Sequence, residues 1–252
     1  MHIFVFIYGL LIGSFLNVCI YRIPNDKSIV YPSSHCPQCG TFLKAFDLIP
    51  VLSYLFYRGK CRYCSSKISF RYPFFELFTG CVFLLLYIVF GQTMDFIAYS
   101  LLASLLIAIA GIDFDHQIIP DEMVVCGFIL GGIYLLYGYY IGASSITLFS
   151  RAGGFLIGGG LFLLIAILSN GGMGGGDIKL MAMLGFWLGI QSILLIILLS
   201  FVIGAVISVF LLAAKIKGRK EAIPFGPFIA MAAFITICFQ NEMISWYLQR
   251  FM

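Results

Sequence analysis

Long apolar runs separated by short polar breaks dominate this chain. A bilayer core takes about 20 apolar residues per helix, with a range of about 17–25. On that ruler the sequence predicts eight spans, near 2–21, 73–91, 95–112, 122–141, 147–168, 178–190, 192–214 and 224–241. The sixth is short and begins beside Asp177, so it is expected to be tilted or to lie partly outside the lipid. The predicted fold class is an all-α polytopic membrane protein of about eight transmembrane helices, with a small subdomain inserted after the first helix. Residues 1–21 lack a basic leading region and a small-residue cleavage site, which predicts a retained first span rather than a removable signal peptide.

Composition agrees with the pattern. Hydrophobic residues make up 62% of the 252 and charged residues 10%, against about 25% charged in soluble domains. The net charge of +4 is small but unevenly spread. Eight of the fifteen Lys and Arg lie between Arg22 and Arg71, and Lys215, Lys217, Arg219 and Lys220 form a second group. Cytoplasmic loops collect such residues, which explains the charge without nucleic acid. That rule puts the 22–72 segment inside and the N-terminus outside. Alternation then brings Asp113 and Asp177, 64 residues apart, to the same cytoplasmic face. Arg151 and Arg250 alone among the basic residues fall outside on this topology. Tyr137, Tyr139, Tyr140, Trp246 and Tyr247 sit where an aromatic belt would lie.

Within the basic segment, Cys36-Pro-Gln-Cys39 and Cys61-Arg-Tyr-Cys64 form two CxxC pairs with a 21-residue spacer. Four thiolates at this spacing predict tetrahedral zinc with no open position, a structural rather than catalytic metal. A reducing cytoplasm argues against disulfides, and the absence of a βαβ pattern argues against a thioredoxin-like motif. A segment of about 50 residues has little core of its own, so the metal would supply folding energy. His35 is expected to be a bystander, and Cys19, Cys81, Cys126 and Cys238 to be packing residues within apolar spans.

Carboxylates at membrane depth are expensive and point to function. Two that share a water can cleave a peptide bond. One ionised acid takes a proton from the water while its protonated partner polarises the carbonyl. Asp113, in Ile112-Asp-Phe-Asp-His116, and Asp177, after Gly174-Gly-Gly176, are the candidates. The glycines would let backbone or an extended substrate approach. Asp121, in Pro120-Asp-Glu122, is expected to be a helix N-cap. Asp115 and His116 either orient Asp113 or face the cytoplasm. Lys179 either tunes Asp177 or snorkels to the interface, and Glu76 is a further candidate contact early in the second span. A different class, a polytopic transporter, would instead string its acids along an ion path through mid-membrane.

Taken together the motifs resemble the type IV prepilin peptidases, a family of GxGD membrane aspartic proteases. The resemblance rests on Gly13-Ser-Phe-Leu-Asn-Val-Cys-Ile-Tyr-Arg-Ile-Pro24, the four-cysteine loop and Arg71-Tyr-Pro-Phe-Phe-Glu-Leu-Phe-Thr-Gly80. It continues through Ile112–Asp121, Gly174–Met183 and Pro224-Phe-Gly-Pro227. It implies that Asp113 and Asp177 remove a short basic leader from prepilins or pseudopilins after a glycine, at the cytoplasmic face of the bacterial inner membrane. Such substrates serve type IV pili, type II secretion or competence. It also implies methylation of the new N-terminus with S-adenosylmethionine as co-substrate, the alternative being a GxGD peptidase without that activity. The implied domains are residues 1–91, carrying the zinc loop of about 22–72 and associated with methyl transfer, and 92–252, the aspartic peptidase. Gly59-Lys60 is a candidate part of the methyl-transfer site, and Gly174 and Gly176 are candidate supports for Asp177.

Overall fold

Lipid offers no partner to a bare peptide group, so spanning segments satisfy their hydrogen bonds internally as helices. The computed structural model accordingly shows eight α-helices among its described residues, which are 1–142, 146–215, 218 and 223–251, the last without its side chain. They are α1 (His2–Arg22), the short α2 (Leu52–Phe56), α3 (Arg71–Phe90), α4 (Met94–His116), α5 (Asp121–Tyr140), α6 (Leu148–Leu168), α7 (Gly175–Ala213) and α8 (Gly226–Phe251). All but α2 are long and apolar enough to cross a membrane, giving seven candidate spans. Lys217, Arg219 and Lys220 of the second basic group lie outside the described residues.

Seven long helices still give eight helical runs, because α7 is broken. A Cβ placed on Gly158 of α6 would stand 2.5 Å from the Met181 carbonyl oxygen and 3.0 Å from Ile193 Cγ1. In a straight helix those two residues are about 18 Å apart along the axis. Helix α7 therefore folds back on itself. The turn is Gly189, at φ 78° and ψ −177°, a conformation open essentially to glycine alone. The sixth and seventh predicted spans are the two arms of α7, joined by one residue.

Two neighbours on α6 satisfy the backbone groups that this break exposes. Arg151 donates to the Trp187 carbonyl at 2.9 Å and the Phe186 carbonyl at 3.3 Å, closing the end of the first arm. Ser150 Oγ accepts the Ile190 N–H at 3.1 Å, opening the second. Arg151 is only 3% exposed. It is a buried cap on the broken helix, and its cost is offset by the carbonyls it satisfies.

The last helix also exceeds its expected end at 241, running to Phe251. Gln240, Asn241 and Glu242 end the apolar run but not the helix, because helix propagation does not require apolar side chains.

The chain divides into two compact units, residues 1–108 and 109–252. In the first, α1 and α3 cross closely and antiparallel. A Cβ on Gly9 would lie 2.8 Å from Gly80 Cα, and one on Gly13 would lie 2.7 Å from Glu76 Cα. The small-residue spacing lets the backbones meet. One turn further on, Asn17 Nδ2 donates to the Tyr72 carbonyl at 3.0 Å. Arg22 at the end of α1 is buried and ties down the loop behind it, donating to the Ser28 carbonyl at 2.9 Å and the Pro32 carbonyl at 2.7 Å.

In the second unit, α5 runs parallel to the first arm of α7. Trp187 Nε1 donates to the Gly127 carbonyl at 2.8 Å, and Lys179 meets Asp121 near the starts of the two helices. Helix α8 lies antiparallel to the second arm, with Ser192 bonded to Gln240 at 2.6 Å and Gly204 beside Phe228. These directions bring the end of α4 and the starts of α5, α7 and α8 to one end of the unit.

Candidate active site

At that end sits Asp113, within the last turn of α4 and 5% exposed. Its Oδ2 accepts the backbone N–H of Gly226 at 2.8 Å. Gly226 opens α8, whose free N–H groups and positive dipole end suit a carboxylate. The fit leaves no spare volume: a Cβ on Gly226 would lie 2.7 Å from Asp113 Oδ2. Gly226 was not among the candidate site residues. Its signal was present in the Pro224-Phe-Gly-Pro227 motif, but the contact spans 113 positions.

Asp177 stands in the first turn of α7, after the cap residue Gly174. Its N–H donates to the Gly174 carbonyl at 3.1 Å. A Cβ on Gly174 would lie 3.2 Å from Asp177 Oδ2, and one on Gly176 would lie 2.7 Å from Ile119 Cβ. Both glycines are therefore needed for close approach, Gly176 of the segment after Asp113 and Gly174 of the carboxylate itself. Ile119, six residues beyond Asp113, packs on Gly176 beside Asp177, which brings the segments that carry the two acids together. Asp177 Oδ1 is buried with no hydrogen-bond partner among the described residues. A buried, unpaired carboxylate oxygen calls for an explanation, and a water able to donate to it supplies one.

The neighbours sort themselves. Asp115 and His116 are exposed on the last turn of α4. Lys179 does not reach toward Asp177; its Nζ pairs with both oxygens of Asp121 at 2.7 and 2.8 Å. Asp121 is not the N-cap of α5, because Pro120 holds that position and Asp121 is the first helical residue. Its carboxylate therefore faces Lys179 in a solvent-exposed pair worth at most about 1 kcal/mol.

In the first unit, Cys36, Cys39, Cys61 and Cys64 converge, with all four sulfurs within 4.8 Å of one another. Cys36 Sγ and Cys64 Sγ are 3.8 Å apart. Thiolates bound to one tetrahedral zinc at about 2.3 Å would be separated by about 3.8 Å. The two knuckles are copies. Gly40 N–H donates to the Cys36 carbonyl at 2.8 Å and Ser65 N–H to the Cys61 carbonyl at 2.9 Å. Cys36 N–H and Cys61 N–H donate to Thr41 and Ser66, and the bridges His35–Phe42 and Lys60–Lys67 flank each knuckle equivalently. Gly40 and Ser65 both take the left-handed conformation this turn requires. Backbone N–H groups aim at the first sulfur of each knuckle, and that of Cys39 leads in drawing the Cys36 thiol down to about 6. This is a donor set built for a metal cation. His35 Nδ1 instead meets the Ser33 carbonyl at 3.1 Å, outside the sulfur set.

Between the knuckles, α2 and the facing ends of α1 and α3 lies a cavity of about 750 Å³. Tyr21, Tyr54, Tyr57 and Tyr72 line it, with Lys60 near the second knuckle and Glu76 on α3. Glu76 is 8% exposed, and its Oε2 accepts the Val51 N–H at 2.7 Å. Gly59, at φ +67°, has no room for a Cβ beside the Tyr54 hydroxyl.

Sequence comparisons place both halves. The family model described as the bacterial Peptidase A24 N-terminal domain matches residues 7–90, and that of the type IV leader peptidase family matches residues 100–209. Curated relatives align over nearly their full length. A protein of Pseudomonas putida is 34% identical, covering 95% of this chain and 91% of its own. One of Aeromonas hydrophila is 32% identical (98% and 94%), and one of Bacillus subtilis strain 168 is 37% identical (97% and 96%). The chain belongs to the type IV leader peptidase family. All three relatives bear the name prepilin leader peptidase/N-methyltransferase. No solved structure matches the chain. The family region 100–209 contains Asp113 and Asp177, and the N-terminal region 7–90 contains the four cysteines and the cavity walls.

Proposed function

We infer that this chain is a prepilin leader peptidase and N-methyltransferase in which Asp113 and Asp177 make the cut. The observation that carries the reading is the unpaired, buried Asp177 Oδ1 at the end of the second unit where the segment after Asp113 packs on Gly176. A water held between the carboxylates loses a proton to the ionised acid and adds to the scissile carbonyl carbon. The protonated acid stabilises the developing oxyanion. Collapse breaks the C–N bond, and the leaving amine takes up a proton. The Gly226 N–H fixes one oxygen of Asp113, leaving the other for this work. Gly174 and Gly176 keep side chains out of the approach. A transporter reading finds less support, because Asp113 and Asp177 stand at helix ends, in the last turn of α4 and the first turn of α7, and not along mid-helix positions.

The cytoplasm is the side proposed for this end and for the cysteine loop, with the N-terminus outside. The basic 22–71 segment supports that orientation. Substrates would be prepilins or pseudopilins whose apolar helix lies in the membrane and whose basic leader reaches these acids. Residues 1–91 are assigned to methyl transfer and 92–252 to cleavage. Zinc held by Cys36, Cys39, Cys61 and Cys64 has a structural role: with four thiolates no position is left for a substrate.

The methyl donor fits the cavity of the first unit. Its volume of about 750 Å³ lies within the range of about 300–1,000 Å³ usual for small-molecule sites. S-adenosylmethionine supplies an electrophilic methyl group on a sulfonium. Tyrosine faces favour such a cation, and the rings of Tyr54 and Tyr57 also suit an adenine. The deciding experiment incubates the purified protein with a prepilin and S-adenosylmethionine and weighs the mature product. Loss of the leader plus one methyl group supports the dual reading; loss of the leader alone reduces it to a peptidase.

A further inference from the structure

The chain enters α2 through a conformation that a valine resists. Val51 takes φ 61° and ψ −49°, and the Leu52 N–H closes onto the Pro50 carbonyl at 2.6 Å. This is a one-residue γ-turn of the rare, strained hand, with a β-branched residue at its centre, where positive φ is an outlier. Such strain persists only when the surroundings over-determine it. Here the restraint is Glu76. Its buried carboxylate accepts the Val51 N–H at 2.7 Å, and the Ser14 hydroxyl is a second hydrogen-bond partner.

We propose that Glu76 is a positioning residue for methyl transfer, latching the Val51 turn and so setting the α2 wall of the 750 Å³ cavity. The proposal rests on reading that cavity as the methyl-donor site. The turn aims α2 so that Ser53, Tyr54 and Tyr57 face the cavity. Tyr54 in turn supports the second knuckle. Its carbonyl accepts the Gly59 N–H at 2.8 Å, and the Gly59 carbonyl accepts the Ile68 N–H at 2.8 Å. A carboxylate on α3 thereby sets the distance between the membrane helices and the cysteine cluster.

A latch and a direct ligand contact make opposite forecasts for relief of strain. Glu76→Ala should raise the donor KM about tenfold through loss of the charge-assisted hydrogen bond that holds the Val51 turn, while leader cleavage stays within about twofold. Glu76→Gln keeps a carbonyl oxygen for Val51 and should recover most of the donor affinity. The decisive variant is Val51→Gly combined with Glu76→Ala. Glycine takes positive φ freely, so the turn no longer needs its anchor, and donor KM should return to within about threefold of the parent. The assay is titration of S-adenosylmethionine against the purified full chain with a pre-cleaved pilin. A double variant as impaired as Glu76→Ala, or a Glu76→Gln protein equally impaired, overturns the latch. Val18→Trp, which fills the cavity from α1 without touching the turn, tests the underlying assignment separately. If it leaves donor binding intact, the cavity is not the donor site and the proposal falls with it.

Discussion

The backbone N–H of Gly226 donates to Asp113 Oδ2 at 2.8 Å, joining the first residue of α8 to an acid at the end of α4. The bond fixes Oδ2 and leaves Oδ1 of the same carboxylate free of it. Since a Cβ on Gly226 would stand 2.7 Å from that oxygen, Gly226→Ala must push the carboxylate aside. Misplacement on the scale of 1 Å costs about a hundredfold in rate. Leader cleavage by Gly226→Ala is expected to fall by about that factor, with methyl transfer to a pre-cleaved pilin unchanged. Two separate assays on one preparation check it.

The fold-back of α7 yields a stability prediction. Gly189 occupies a glycine-only region of backbone space, and a Cβ there would lie 2.6 Å from Ser150 Oγ. Gly189→Ala should destabilise the second unit by about 1–3 kcal/mol from backbone strain alone. Arg151→Met should cost a similar about 1–3 kcal/mol by leaving the Phe186 and Trp187 carbonyls unpaired. Thermal unfolding in detergent would show both as a lowered Tm, and an unchanged Tm for either variant would contradict the broken-helix account.

Lys179 gives a contrasting prediction. Its partner is Asp121, and both side chains are more than half exposed. An exposed pair contributes about 0–1 kcal/mol. Lys179→Met is therefore expected to keep leader cleavage within about twofold of the parent, with an unshifted pH profile. A large shift in that profile would mean that Lys179 acts on Asp177 after all.

The cysteine cluster predicts a division of effects. Cys61→Ser removes one of four convergent sulfurs and should lower bound zinc measured by metal analysis. Because the knuckles carry the cavity wall, methyl transfer should fall further than leader cleavage. Wild-type protein free of zinc would refute the metal assignment.

Much of this was legible from spacing. Apolar runs located every long helix, and parity of spans put Asp113 and Asp177 at one end, as Lys179–Asp121 and Gly176–Ile119 now bear out by contact. The CxxC pairs announced their own convergence, because their partners lie a fixed step apart. What the sequence hid was each interaction whose partner is backbone. Arg151 reads only as a basic residue on the outer side until the carbonyls of Phe186 and Trp187 are seen to accept from it. Glu76 reads as a further candidate contact, and the Val51 N–H that it accepts is invisible in the sequence. Asp121 reads as a cap because an acid after proline is common at helix starts, yet the proline itself took that position. A main-chain N–H or carbonyl belongs to every residue alike, so no residue type marks where one is left over.

The most direct test of the central claim is leader cleavage of a purified prepilin by Asp113→Asn and Asp177→Asn, each first shown to insert and to retain its zinc. The aspartyl-pair account predicts that neither variant releases mature pilin, while each still methylates a pre-cleaved one. Full cleavage by either variant would contradict it.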